Sequence, residues 1–238
     1  MVINDRLWRS SYTRKVSEIM SQPITLYSLA TPNGQKVSIA LEEMGLAYEA
    51  HTVDIRQGEQ HDPEYLKLNP NGKIPTITDP DGPGGEAITI METGAILIYL
   101  ADKSGKFLSK DSRERMETLQ WLFFQIAHIG PMFGQFGHFY AHEGKDECDH
   151  PYPLRRYQNE TKRLLAVLEE RLKSNAYLAG EEYSIADIAT FPWVGCLDWG
   201  YHAREAVSLE SFPHVMAWHK KCSEREAAKR GAEVCPFE

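Results

Sequence analysis

The spacing of apolar positions changes character near residue 104. Before that point, short β-rich runs alternate with stretches of helical periodicity. The runs that predict strands are 24–27, 48–55, 74–78 and 87–90. The stretches that predict helices are the one that follows the turn at 32–34 and runs through Met44, then 63–68 and 92–102. A helical crossover makes the first two strands parallel, and the turn-rich segment 79–85 makes the last two an antiparallel hairpin. The order βαβαββα therefore predicts a mixed four-stranded sheet with helices on both faces.

After a polar linker at 103–111, the pattern is helical throughout. It predicts one long helix over 112–140, kinked at Pro131, and an amphipathic helix from Leu154. Ser184 and Asp187 form a capping-box pattern before a helix that is apolar nearly all round, and a last helix is predicted at about 212–224. We therefore expect an α/β domain at 23–104 and an all-helical domain at 111–238. Residues 1–22 read as an extension, either a docking segment or a mobile tail.

Composition and charge narrow the class of protein. The chain has 238 residues, 42% hydrophobic and 25% charged, with a formal net charge of -8. An acidic chain is poorly suited to wrapping nucleic acid or lying on an anionic membrane, so neither partner is expected. The four cysteines form no C-x-x-C pair, and the first 22 residues lack the apolar run of a signal peptide. We expect a cytoplasmic protein in a reducing compartment.

Two short motifs suit a ligand with a free amino-acid end. If the Ile74–Pro75 bond is cis, the backbone N–H and C=O of Ile74 can pair with an extended peptide ligand. Glu92-Thr93 opens a helix whose first N–H groups attract a carboxylate, while Glu92 can pair with an ammonium group. Together the motifs predict a site for a peptide that carries both groups.

At these residues the chain resembles the glutathione transferase superfamily. The segments that carry the resemblance are Asn69–Pro75, Glu92-Thr93 and Ser184–Ile188. The likeness extends over roughly 24–225. It implies a thioredoxin-like N-terminal domain, a helical-bundle C-terminal domain, glutathione as cosubstrate without a metal, and a homodimer.

A subclass resemblance follows from Thr31-Pro32-Asn33-Gly34. This element is similar to the bacterial nu class and its fungal relatives, as are three further segments. These are Trp121–Gln125, Gly130–Met132 and Arg156–Gln158. The resemblance implies a glutathione-dependent disulfide-bond reductase with peroxidase and weak conjugating side activities, acting on small disulfides, hydroperoxides or electrophiles. It implies Thr31 and Asn33 as catalytic residues and Arg156 as a glutathione ligand supplied by the partner subunit. Glutathione ligands within one subunit would be Gln60, Lys73, Ile74, Glu92 and Thr93.

The chemistry at Thr31 and Asn33 agrees with that assignment. A free thiol has a pKa near ~8.5, so only a few per cent is thiolate at neutral pH. A hydroxyl from Thr31, an amide N–H from Asn33 and the positive end of the following helix would each stabilise the anion. Each hydrogen bond would contribute on the order of 1–2 kcal/mol, or about one pKa unit.

Several alternatives stay open on the sequence alone. Thr31 and Asn33 are also ordinary helix-capping residues, and Tyr27 is either a thiol donor or a packing residue. His138 and His142 have a metal-like spacing. The aromatic side chains at 121, 124, 133 and 136 either line an acceptor pocket or fill a helical core. Two other functions compete: conventional conjugation of electrophiles, and a non-catalytic regulatory or binding role on the same fold.

Overall fold

A computed structural model describes residues 22–142 and 144–237. The N-terminal part contains strands β1 (Ile24–Ser28), β2 (Tyr48–Thr52), β3 (Thr76–Asp79) and β4 (Ile88–Met91). Its helices are α1 (Pro32–Met44), α2 (Pro63–Leu68) and α3 (Thr93–Ser104). The predicted extension at 1–22 lies outside the described residues except for its last position.

The sheet has the strand order β2-β1-β3-β4. Strand β1 runs parallel to β2 and antiparallel to β3, and β3 and β4 form the predicted hairpin. Leu26 and Ile77 are paired on one face and belong to the core cluster that includes Val37 of α1. On the other face, Tyr65 of α2 contacts Tyr27 with its ring and lies 3.1 Å from the Thr76 hydroxyl. The predicted mixed sheet with helices on both faces is confirmed.

The rest of the described chain is helical. Its helices are α4 (Ser112–Phe124), α5 (Gly130–Ala141), α6 (Gly144–Glu147), α7 (Pro151–Leu172), α8 (Ile185–Trp199), α9 (Pro213–Ser223) and α10 (Glu226–Ala232). Helix α8 is buried nearly along its whole length, as its apolar sequence predicts. The described residues contain no helix long and apolar enough to cross a membrane.

The stretch 112–140 is helical without a gap, as predicted, but its irregular turn is at Gln125–Ile129, where a π-helical turn joins α4 to α5. Pro131 lies in the first turn of α5, where its missing N–H costs nothing, and the wider turn before it absorbs the break in the hydrogen-bond ladder. The prediction that the helix at about 212–224 is the last one was wrong. Helix α10 follows it and returns to α1, where the Gly231 carbonyl accepts from Ser38 Oγ at 2.7 Å.

The start of α8 has the predicted capping box. Asp187 Oδ2 accepts from the backbone N–H of Ser184 at 3.0 Å, and Ser184 Oγ accepts from the N–H of Ala186 at 3.3 Å. Asp187 Oδ1 further accepts from the N–H of Leu178 at 2.9 Å and from the indole N–H of Trp218 at 2.8 Å. The buried carboxylate therefore joins the loop before α8 to helix α9.

Candidate glutathione site

The corner between β1 and α1 positions the two predicted catalytic residues. Thr31 is the N-cap of α1, and its Oγ1 accepts from the backbone N–H of Gly34 at 3.2 Å. This bond uses a lone pair of the hydroxyl, so the hydroxyl proton can still be donated to a ligand. The capping role and the thiol-binding role of Thr31 are therefore compatible.

Asn33 lies in the first turn of α1 and contacts the helical domain. Its Oδ1 accepts from the indole Nε1–H of Trp193, on α8, at 2.9 Å. The two residues are 160 positions apart in the sequence. The side chain that was predicted to face a sulfur is thus held by a residue of the other domain.

Thr31 and Asn33 lie in the wall of a cavity of about 790 Å³ between the two parts of the chain. Three further predicted ligands, Gln60, Lys73 and Ile74, line the same cavity. The Oε1 atom of Gln60 is buried and has no hydrogen-bond partner among the described residues. Such an atom suits a ligand that brings an amide or ammonium donor.

The structure places Glu92 and Thr93 next to Ile74 by strand register. Thr76 pairs with Met91, so the residues that precede Thr76 lie opposite those that follow Met91. The Ile74–Pro75 bond is cis, as the sequence suggested. Glu92 has a φ of 70°, a left-handed conformation that costs a non-glycine residue about 1–3 kcal/mol and is typical of ligand-binding corners. Both residues lie beside the cavity rather than among the side chains that line it.

A buried lysine that the sequence analysis did not single out lies beneath this corner. Lys36 of α1 is 1% exposed, and its Nζ donates to Gln125 Oε1 at 2.6 Å and to Thr93 Oγ1 at 3.4 Å. Burial lowers the pKa of Lys36 to about 7, although the Glu92 carboxylate acts in the opposite direction. The amphipathic pattern of α1 gave no signal for this residue, because a lysine is normally assigned to the solvent face.

Replacing this lysine will change how stability depends on pH. The folded-state pKa of about 7 lies below the ordinary value of 10.5, so between these limits the unfolded chain binds more protons. The cost of burying Lys36 is therefore full below pH 7 and is relieved as the pH rises. In Lys36→Met the titration is gone. We expect the wild type to gain stability relative to this variant by up to about 1.4 kcal/mol per pH unit over that range.

Denaturant unfolding across that pH range measures the difference. Lys67→Met is the matched control, because the Lys67 side chain is 68% exposed and the substitution removes the same charge from the surface. Parallel pH curves for the wild type and Lys36→Met would contradict the expectation.

Arg156 lies away from the other predicted ligands. It is on α7 and lines a second cavity of about 570 Å³, together with Arg155, Arg163 and His128. The structure therefore does not bring Arg156 to Thr31 and Asn33 within one chain. Its predicted role in a partner subunit's site stays a prediction.

The other candidates fall into packing positions. Tyr27 stacks on His51 with ring centroids 5.4 Å apart and does not line the cavity, which favours the packing interpretation over thiol donation. Phe133 and Phe136 are fully buried in the helical core rather than in an acceptor pocket. His142 contacts the ring of Tyr201 in the cavity wall, and the described residues include no group of three metal-ligating side chains.

The aromatic residues that do line the cavity were not predicted. They are Trp193, Trp199, Tyr201 and Phe237. Phe237 reaches the cavity because the segment after α10 runs back along the first domain, where the Cys235 carbonyl accepts from the N–H of Ala30 at 2.8 Å. No local pattern marks such residues, since their position depends on how the two domains pack.

One cysteine also belongs to the cavity wall. Cys196 of α8 is 3% exposed, and burial raises the pKa of its thiol to about 12. A thiol with that pKa is almost wholly protonated at neutral pH and is a poor nucleophile. Among the residues that the structure describes, the cavity wall therefore offers donors for a ligand's thiolate but no reactive thiol.

Comparison with known proteins agrees with this geometry. Residues 30–103 match the model for the glutathione S-transferase N-terminal domain, and residues 132–226 match that for the C-terminal domain. Among curated proteins, the disulfide-bond oxidoreductase YfcG of Escherichia coli K12 is 47% identical over 86% of this chain and 92% of its own length.

Two solved structures are similar over most of the chain. A glutathione transferase family member from Pseudomonas fluorescens with two glutathione bound has 53% identity and a TM-score of 0.87, covering 89% of this chain and 92% of that one. A Pseudomonas putida glutathione transferase with one glutathione disulfide per subunit has 51% identity and a TM-score of 0.87, covering 89% and 91%. The predicted resemblance to the glutathione transferase superfamily is confirmed, and the chain belongs to the glutathione S-transferase family.

Proposed function

We propose that this protein is a glutathione-dependent disulfide-bond oxidoreductase of the nu-class type, with peroxidase and weak conjugating side activities. The observation that carries the proposal is the juxtaposition of Thr31 and Asn33 in a cavity whose one described cysteine, Cys196, has a strongly raised pKa. A conventional thiol-disulfide enzyme needs a low-pKa cysteine at this place. Here the reactive thiol must come from glutathione.

The residues around the cavity suit the tripeptide. Its γ-glutamyl end fits at Glu92-Thr93, where the N-terminus of α3 attracts a carboxylate and Glu92 faces an ammonium group. Its peptide groups fit between the backbone of Ile74 and Gln60 Oε1, which has no hydrogen-bond partner in the described part of the chain. Lys73 supplies a cation for the remaining carboxylate. The cavity volume of about 790 Å³ lies within the range of about 300–1,000 Å³ typical of ligand sites.

The reaction follows from the thiolate that these donors stabilise. The glutathione thiolate attacks one sulfur of a disulfide, forms a mixed disulfide and releases the other half as a thiolate. A second glutathione thiolate then attacks the glutathione sulfur of the mixed disulfide, which yields glutathione disulfide and the second product thiolate. Two glutathione molecules are oxidised by two electrons in total, and one disulfide is reduced to two thiols. The binding of two glutathione molecules, or of the disulfide, in the two Pseudomonas proteins supports this sequence of steps.

Two further parts of the proposal concern assembly and compartment. Arg156 serves the site of a partner subunit in a homodimer. Its position in a separate basic cavity, away from Thr31 of its own chain, supports this part of the proposal. The four cysteines are all unpaired, which supports a reducing, cytoplasmic environment.

Turnover of a small disulfide with glutathione tests the function. We expect the wild type to reduce a dihydroxyethyl disulfide faster than it conjugates an aryl halide. Asn33→Ala should lower kcat/KM for the disulfide about 10- to 30-fold, because one donor to the thiolate is lost. The steady-state formation of glutathione disulfide is the measurement.

Cys196→Ala is the matched control in the same cavity. Its turnover should stay within about threefold of the wild type, because a thiol protonated at neutral pH takes no part in the exchange. Glutathione binding without disulfide turnover would refute the proposal and favour a regulatory role. Faster reaction with the aryl halide would favour conventional conjugation.

A further inference from the structure

The hydrogen bond between Asn33 and Trp193 determines which end of the Asn33 amide faces the cavity. A carboxamide has an acceptor oxygen and a donor NH₂ group, and either can point toward a bound sulfur. An oxygen there would repel a thiolate, whereas an N–H would stabilise it. Asn33 acts as a thiolate donor only if its amide is held in one of these two orientations.

The indole of Trp193 makes that selection. Its Nε1–H is a donor and cannot accept, so it pairs with the oxygen of the amide and not with the NH₂ group. With Oδ1 engaged at 2.9 Å, Nδ2 is the polar atom left for the ligand. Both residues line the same cavity, so the selected NH₂ group and the proposed sulfur position share one space.

The surroundings of Trp193 hold its ring in place. Trp193 is 7% exposed, on a helix that is buried from Ile185 to Leu197. Gly130 and Gly134 of α5 lie against the ring: a Cβ built on them would be 3.8 and 3.4 Å from its atoms. The ring is thus confined by the helical domain while its N–H reaches the thioredoxin-like domain. Because the indole is already confined, less side-chain entropy is lost when it binds the Asn33 oxygen than with a mobile donor.

We propose that Trp193 is a positioning residue for the thiolate chemistry: its indole N–H orients the Asn33 amide so that Nδ2 donates to the glutathione sulfur. The proposal rests on the function proposed above and adds a role for the helical domain. Packing of α8 against α1 completes the donor set. The activating amide of Asn33 belongs to the thioredoxin-like domain, and the indole that orients it belongs to the helical domain.

Trp193→Phe tests the proposal, because phenylalanine keeps an aromatic ring in the wall and removes the N–H. The pKa of the bound glutathione thiol, followed by thiolate absorbance, should rise by about 0.5–1 unit, and kcat should fall about 3- to 10-fold. Affinity for S-methylglutathione, which has no ionisable thiol, should change by less than about threefold. A ring that merely packs would shift the affinity for this ligand as much as kcat.

A double-mutant cycle with Asn33→Ala separates the possible outcomes. If Trp193 acts through Asn33, then adding Trp193→Phe to Asn33→Ala should change the thiol pKa by less than about 0.2 units. An equal shift in both backgrounds would overturn the inference and leave the proposed function intact. If Asn33→Ala itself leaves the thiol pKa and turnover unchanged, the catalytic assignment fails first, and the inference fails with it.

Discussion

Asp187→Ala should destabilise the protein by about 3–5 kcal/mol, because it leaves several buried donors without an acceptor. The side chain is fully buried and accepts from the N–H groups of Leu178 and Ser184, from the Ser184 hydroxyl and from the indole of Trp218. The Ser184 hydroxyl can turn to another acceptor, but the three N–H groups cannot. Denaturant unfolding with a shared slope for both proteins measures the loss.

The control substitution lies on the same helix. Asp198 is 51% exposed and pairs with Arg204 at 2.8 Å, so Asp198→Ala should cost less than about 1 kcal/mol. The loss of unfolding free energy for Asp187→Asn should lie between those for Asp187→Ala and Asp198→Ala. The amide keeps one acceptor oxygen but turns a donor toward the remaining N–H groups. Equal losses for Asp187→Ala and Asp198→Ala would show that the network adds nothing beyond a surface ion pair.

Asp187 illustrates which parts of the fold can be predicted from sequence. The capping box depends on residues three positions apart, so local chemistry alone specifies it. The contacts of the same carboxylate with Leu178 and Trp218 depend on tertiary packing and could not be predicted. The parallel pairing of β1 with β2 and the β3–β4 hairpin were predicted from periodicity, connection type and turn residues, which are also features of the local sequence.

The differences between prediction and structure in the helical domain have another cause. The pattern over 112–140 is helical on both sides of Gln125–Ile129, and a π-helical turn keeps that periodicity nearly intact. Helix α10 is short, seven residues from Glu226 to Ala232, and its stability comes from packing on α1 rather than from its own sequence.

The residues of the site also fall into two groups, those that could be predicted from the sequence and those whose role depends on tertiary packing. Thr31 and Asn33 were predicted through the family resemblance, while the residues alone favoured a simple helix cap, and the structure shows that Thr31 is both a cap and part of the cavity wall. Trp193 and Lys36 were missed, because the partners that give them a role lie far away in sequence, at Asn33 and Gln125. A tryptophan in an apolar helix and a lysine in an amphipathic one look ordinary until the domains are docked.

Gly34→Ala should cost about 3 kcal/mol or more and should also damage the site. Alanine in a helix normally gains about 1 kcal/mol over glycine, so the expected sign is opposite to helix propensity. The reason is steric: a Cβ on Gly34 would lie 1.8 Å from the backbone oxygen of Leu29 and 2.6 Å from Ser28 Oγ. A backbone atom cannot turn aside like a side chain, so the β1–α1 corner itself has to move, and Thr31 and Asn33 belong to that corner.

Two measurements separate the effect on stability from the effect on the site. The free energy of unfolding measures the loss of stability. Disulfide turnover, at a temperature where the variant is fully folded, measures the damage to the site and should still be reduced. Gly134→Ala is the matched control: it is another helical glycine, and its Cβ would meet the Trp193 ring at 3.4 Å, an ordinary contact distance. That variant should be neutral or slightly stabilised. Equal unfolding free energy and turnover for Gly34→Ala and Gly134→Ala would contradict this explanation. Close approach of the backbone would then not be the reason for a glycine in the Thr-Pro-Asn-Gly element, and the donor geometry at Thr31 and Asn33 would not depend on Gly34.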